Sequence, residues 1–176
     1  MTFTEMPLAG AFVIDIERHE DERGFFARTF DAAEFERRGL VAPLAEFSTS
    51  YNARAGTLRG MHFQRPPHGE HKLIRCTRGA VFDVIVDVRA DSPTFCAWHG
   101  LELTQDNGRL LYVPEGFAHG FQTLLDDTEL HYQISAPFCP DAAAGVRWDD
   151  PTFGIQWPEA ERTISERDLC WPNFHP

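Results

Sequence analysis

The chain of 176 residues is 43% hydrophobic and 24% charged, enough to bury a core without disulfides or a structural metal, and one domain over residues 1–176 is the expectation. Sixteen Lys and Arg against 27 Asp and Glu give a formal charge of −11, which repels a phosphate polymer and argues against generic nucleic-acid binding. A small anion senses a few local side chains more than the distant net charge, so an anionic ligand stays open.

In chain order, the N-terminus lacks a basic region followed by an apolar stretch, and no later segment is a charge-free span. A cytoplasmic protein without membrane association is expected. Gly10–Ile16 reads as a strand, and Asp31 with Glu34 opens a short helix over Ala32–Arg38 that closes near Gly39. His71–Arg75 reads as a strand. In Ala80–Val88, Phe82, Val84, Val86 and Val88 share one apolar face, with Asp83 and Asp87 on the other. Trp98–Leu103, Leu110–Val113, Gly120–Leu124 and Leu130–Ser135 follow as strands, with turn signals at Arg78-Gly79 and Asp106-Asn107-Gly108. A second short helix follows Ser165. The sum is an antiparallel all-β domain, a double-sheet jelly roll with short flanking helices. Cys76, Cys96, Cys139 and Cys170 form no Cys-x-x-Cys pair and read as reduced core thiols.

Three stretches carry polar residues inside apolar patterns: Gly56–Gln64, Glu70–Arg75 and Val113–Phe121. The last contains Pro114-x-Gly116-x-x-His119, which resembles the second half of the signature of cupins, small double-stranded β-helix barrels. Many cupins hold a metal through His-x-His, but here the sequence is His62-Phe63-Gln64, and His68, Glu70 and His71 are the only nearby substitutes. No metal and no cofactor are expected.

The wider set resembles the dTDP-4-dehydrorhamnose 3,5-epimerase family. It comprises Asp21–Phe26, Leu58–Gln64, Lys72-Leu73, Asp83–Arg89, Ser92-Pro93-Thr94, Val113–Phe121, Tyr132 and Ser165–Asp168. The resemblance implies a cofactor-free epimerase that inverts carbon 3, carbon 5 or both of a nucleoside-diphosphate 4-keto-6-deoxyhexose. The foremost reaction is dTDP-4-dehydro-6-deoxy-D-glucose to dTDP-4-dehydro-L-rhamnose. It implies His62 as base, Asp168 as its orienting partner, Lys72 as donor to the enolate oxygen and Tyr132 as acid on the opposite face. Arg23, Arg28, Arg59, His119, Phe138 and Gln64 make up the implied substrate-binding set. A homodimer with an exchanged N-terminal strand is also implied, in which Arg23 and Arg28 complete the partner's site.

Independent of resemblance, Leu130, Tyr132 and Ile134 share a strand face, which points the phenol inward. Arg59 and His62 are an odd number apart, so a straight strand sends them to opposite faces unless Gly60 makes a bulge or bend. Read by itself, Asp168 is three residues after Ser165, the spacing of a capping box. Trp148, Trp157 and Trp171 read as packing. Compared with the family's pattern, Arg28 stands for a glutamate, Phe47-Ser48-Thr49 for a Gln-x-Asn element, Ala143 lies near another glutamate's position, and Phe138 stands for a tyrosine that stacks on thymine. These departures leave CDP- or GDP-linked sugars and single-carbon epimerisation as alternatives. A non-catalytic cupin that binds a sugar nucleotide is the alternative of another class.

Overall fold

A computed structural model describes residues 1–175. The strands are β1 (Thr2–Glu5), β2 (Phe12–Asp15), β3 (Arg18–Asp21), β4 (Gly24–Ala27), β5 (Glu46–Asn52), β6 (Thr57–Gln64) and β7 (Lys72–Arg78). They continue with β8 (Ala80–Asp87), β9 (Trp98–Thr104), β10 (Leu110–Val113), β11 (Phe117–Thr123), β12 (Thr128–Ile134), β13 (Ala143–Gly145) and β14 (Thr163–Ile164). Helix α1 spans Ala32–Arg37 and α2 spans Glu166–Leu169. One sheet has the order β1-β2-β10-β7-β12-β5; the other has β13-β6-β11-β8-β9, with β14 parallel to β6. The pair forms a cupin-like jelly roll, and β3 and β4 make a separate hairpin.

Period-two alternation builds three apolar layers. Ile74, Val81, Ile85, Leu111, Phe117, Phe121 and Leu130 fill the space between the sheets. Leu58, Met61, Val84, Val86 and Ala118 lie on the outer face of the second sheet, covered by Val146, Phe153, Ile155 and Trp157. Leu73, Leu110 and Tyr112 back the first sheet, where Phe35 of α1 covers them. Both faces of each sheet are therefore partly buried, and on β8 the face opposite Val84 and Val86 is buried too: Asp83 and Asp87 are fully buried. Asp83 pairs with His119. Asp87 accepts from the Arg89 guanidinium and the Ser92 and Thr94 hydroxyls, so Ser92-Pro93-Thr94 is a structural clasp.

The helices form where their caps were read. The Asp31 side chain accepts from the Ala33 and Glu34 amides, and α1 ends one residue short of the expected Arg38. Leu110–Val113 is a strand with the expected bounds, while β11 starts three residues earlier than Gly120. Strands β1, β3, β4, β5, β6, β13 and β14 lay outside the expected set; in β6 the bulge breaks the alternation, while most residues of the others are exposed or half-buried and the buried alternation that marks the core strands is weak in them. Of the cysteines, only Cys76 is buried and Cys170 is exposed, which corrects the reading of four core thiols; all four are free. Burial pushes the Cys76 thiol up to about 11, so it is unreactive. Among the described residues, no helix is long and apolar enough to cross a membrane.

Candidate active site

A cleft of about 340 Å³ opens between the sheets. The second sheet contributes Arg59 and His62 from β6 with His119 and Phe121 from β11, and the first contributes Lys72 from β7 with Tyr132 and Ile134 from β12. Glu46, Ser48, Thr49 and Ser50 of β5, Glu70 and Phe138 complete the lining.

The parity conflict between Arg59 and His62 is resolved by a bulge. Phe121 pairs with Arg59 and His119 with His62, so three steps along β6 face two along β11. Leu58 and Met61 consequently both turn to the outer apolar layer, and Arg59 and His62 both enter the cleft. Gly60 adopts φ +142°, and a Cβ there would lie 2.6 Å from the Gly120 Cα. The close approach of these two glycines makes the bulge possible.

His62 Nε2 lies 2.6 Å from Asp168 Oδ1, across 106 residues of chain. The cap of α2 is Ser165, whose hydroxyl accepts from the Asp168 amide; the Asp168 carboxylate turns instead into the protein. The spacing thus marks the Ser165 cap correctly, but the reciprocal half of a capping box, a bond from the Asp168 carboxylate back to Ser165, is replaced by the bond to His62. The same carboxylate accepts from Trp171 Nε1–H at 3.2 Å and from the Gly60 amide at 3.4 Å. Burial pushes this carboxyl up, but the hydrogen bond and charge of His62, with the Gly60 and Trp171 donors, outweigh it and hold Asp168 below the usual carboxylate range. A carboxylate held ionised and immobile fixes the imidazole through Nε2 and leaves the other ring nitrogen free of that bond. Trp171, read from sequence as packing, is thus part of the site; no signal in the sequence distinguishes it from the packing tryptophans.

Across the cleft, Tyr132 is packed edge-on to His119, with ring centroids 5.9 Å apart. Burial first, and the Asp83 charge second, push its phenol well above 10, so it remains a proton donor at neutral pH. His119 Nε2 lies 2.9 and 3.0 Å from the two Asp83 oxygens, both side chains being buried. Arg59 is aimed by its Nε–H bond to Asn52 Oδ1, at 2.8 Å. Lys72 is buried, and its Nζ lies 2.8 Å from Glu70 Oε1. Phe138 stands at the rim, 58% exposed, a flat apolar surface facing solvent.

Three expected binding residues lie elsewhere. The Gln64 amide does not line this cleft: its nitrogen donates among His68 O, Pro137 O and Glu70 Oε2, and its oxygen accepts from the Cys139 amide. With every group engaged, Gln64 is a brace rather than a substrate contact. It borders a separate hollow of about 550 Å³ with Pro66, Pro67, Arg89 and Glu115. Arg23, bonded to Asp21, and Arg28, bonded to the cap residue Asp31, lie on or beside the β3–β4 hairpin and do not reach the cleft of their own chain. Phe47 is exposed beside His131 and also outside the lining. Among the described residues, no three His, Cys, Asp or Glu side chains converge as a metal ion requires, and His68, Glu70 and His71, the sequence's candidates, form no such group.

Comparison with known proteins gives the same picture over the whole chain. The family model for dTDP-4-dehydrorhamnose 3,5-epimerase matches residues 5–176. An enzyme of that name from Sinorhizobium fredii is 42% identical over 175 residues, covering 99% of this chain and 90% of the relative. Among solved structures, the dTDP-4-dehydrorhamnose 3,5-epimerase of Bacillus anthracis with TDP and PPi bound superposes with a TM-score of 0.95 at 39% identity, covering 98% of this chain and 99% of that one. A 3'-monoepimerase from Streptomyces bikiniensis in complex with dTDP-quinovose gives 0.88 at 33% identity, over 96% of this chain and 85% of that one. A match of this length and identity, on a cleft where His62, bonded to the buried Asp168, faces a tyrosine, means that the chain belongs to the dTDP-4-dehydrorhamnose 3,5-epimerase family.

Proposed function

We propose that this isomerase inverts carbon 3 and carbon 5 of dTDP-4-dehydro-6-deoxy-D-glucose to give dTDP-4-dehydro-L-rhamnose, using no cofactor. The observation that carries the reading is His62 on one sheet, bonded from behind by Asp168 of α2, and the Tyr132 phenol on the other sheet, with His62 and Tyr132 lining one cleft. A proton next to the C4 ketone passes to His62, and the electron pair of the broken C–H bond moves onto the ketone oxygen as an enolate. The Lys72 ammonium donates to that oxygen, while Asp168 stabilises the imidazolium. Tyr132 then delivers a proton to the opposite face of the carbon. Solvent restores the phenol and removes the proton from His62, which leaves the configuration inverted and no net gain of protons.

Arg59 suits a phosphate oxygen and Phe138 suits stacking on the base. The exposed hairpin carries Arg23 with Phe25 and Phe26, which are 54% and 70% exposed, and supports a homodimer in which it completes the neighbour's cleft. The four free cysteines support a reducing, cytoplasmic setting.

Turnover of dTDP-4-dehydro-6-deoxyglucose in deuterated water tests the reaction: label is expected at both carbon 3 and carbon 5. Label at one carbon alone would make the protein a single-carbon epimerase, and label at neither would leave a binding protein. The His62→Asn variant is expected to lose about 10²–10⁴-fold in kcat while binding dTDP as the parent does. Comparing dTDP-, CDP- and GDP-linked substrates tests the base, with dTDP preferred.

A further inference from the structure

We infer that Glu70 is a positioning residue that holds the Lys72 ammonium at the sugar end of the cleft and is itself held by Gln64. The inference rests on the reading of Lys72 as the donor to the enolate oxygen. Lys72 opens β7, an interior strand, with its Cα paired to Val113 on one side and Ile134 on the other, so its backbone is fixed. Its four-carbon stem is not fixed by that pairing and retains rotamer freedom. An ammonium free to swing, in a cleft that receives a diphosphate, is drawn to the stronger anion and away from the ketone.

The structure supplies the restraint. Glu70 Oε1 lies 2.8 Å from Lys72 Nζ, with side chains only 12% and 10% exposed. Glu70 precedes the strand, in a segment without regular structure, and needs a tether of its own. Gln64 provides it: Nε2–H donates to Glu70 Oε2 at 3.2 Å, and the orientation of that amide is set by the Cys139 N–H, 2.6 Å from Oε1. One of the three ammonium donors is occupied by Glu70, which leaves two for the ligand. The pair is neutral as a unit, so Lys72 acts through directed hydrogen bonds and does not add net positive charge to attract the diphosphate.

The test is a double-mutant cycle on the full chain with dTDP-4-dehydro-6-deoxyglucose, using Glu70→Gln, Lys72→Met and the double variant. Glu70→Gln is expected to lower kcat about tenfold, with KM unchanged or lower and dTDP affinity unchanged or higher. A packing defect would raise KM and lower the melting temperature instead. In the Lys72→Met background the same substitution is expected to change kcat by less than about twofold, because its effect runs through Lys72. Glu70→Asp, which keeps the charge on a shorter stem, is expected to fall between Glu70→Gln and the parent. A parental kcat in Glu70→Gln with an impaired Lys72→Met variant would overturn the inference and leave the reading of Lys72 standing. An equal tenfold loss in both backgrounds would overturn it as well. Full turnover by Lys72→Met would remove the role of Lys72 and the inference with it.

Discussion

The Asp168 carboxylate has three donors on two oxygens, and each limits its motion differently. Trp171→Phe removes the indole N–H and keeps an aromatic, though smaller, ring beside Gly145 and His62. The expected result is a severalfold fall in kcat with KM and dTDP affinity unchanged, measured by steady-state kinetics and calorimetry. Tyr132→Phe separates two events that the native enzyme joins. His62 still removes the proton, so solvent deuterium is expected to enter the substrate with retained configuration, while inversion falls by about 10²-fold, as proton NMR of the sugar would show. The sequence yielded these two residues unequally. Tyr132 sits in an alternating strand, so its direction was readable; Trp171 follows a four-residue helix, where spacing gives no direction and the target carboxylate is not a sequence neighbour's obvious partner. Gln64 misled for a related reason: an amide beside a catalytic histidine has the right chemistry for a sugar hydroxyl, but an amide's partners are decided by whichever loop lies closest.

At the level of elements, the β6–β11 bulge decides which side chains share the cleft. Gly60→Ala would bring a Cβ against the Gly120 backbone at a φ that only glycine adopts readily, and Gly120→Ala would meet Arg59 O at 2.8 Å. Each is expected to cost about 1–3 kcal/mol in denaturant unfolding and to reduce turnover more than stability, because Arg59 or His62 must leave the cleft if the bulge relaxes. The need for an irregularity between Arg59 and His62 was legible from parity once the resemblance put both in one site; its closing partner, Gly120, was not, since strand pairing is a long-range property. The same distinction explains the missed elements. Core strands such as Leu110–Val113 announce themselves by burial, whereas β5 is an edge strand whose pattern reflects the cleft on one side and solvent on the other.

Across the whole molecule, the Asp87 clasp ties the sheets together: Arg89 donates to the Ala9 carbonyl, and Thr94 accepts from the Ala9 amide. Burial pushes the Asp87 carboxyl up, but the Arg89, Ser92 and Thr94 donors outweigh it and hold it low. A carboxyl depressed in the fold contributes stability above its unfolded value of about 4, and that contribution disappears as pH falls through the lower folded value. Asp87→Ala is expected to cost about 3 kcal/mol at neutral pH, and its difference in melting temperature from the parent should narrow on acidification below about pH 4. The dimer proposal has a sharper test than sedimentation alone. Arg23→Ala and His62→Asn, each inactive, are expected to regain about a quarter of parental activity when refolded together, because half the dimers are mixed and each of these holds one intact site. No recovery would confine Arg23 to its own chain.

The parallel pairing of β14 with β6 has a consequence for biosynthesis. His62 emerges from the ribosome 106 residues ahead of the carboxylate that bonds it, a delay of roughly 5–20 s at ordinary elongation rates. β14 can dock only onto a β6 that already exists, and α2 then carries Asp168 to the imidazole. Both sheets have all their other strands in the chain by then, so of His62, Lys72, Tyr132 and Asp168 the carboxylate that directs the imidazole is the last to be synthesised.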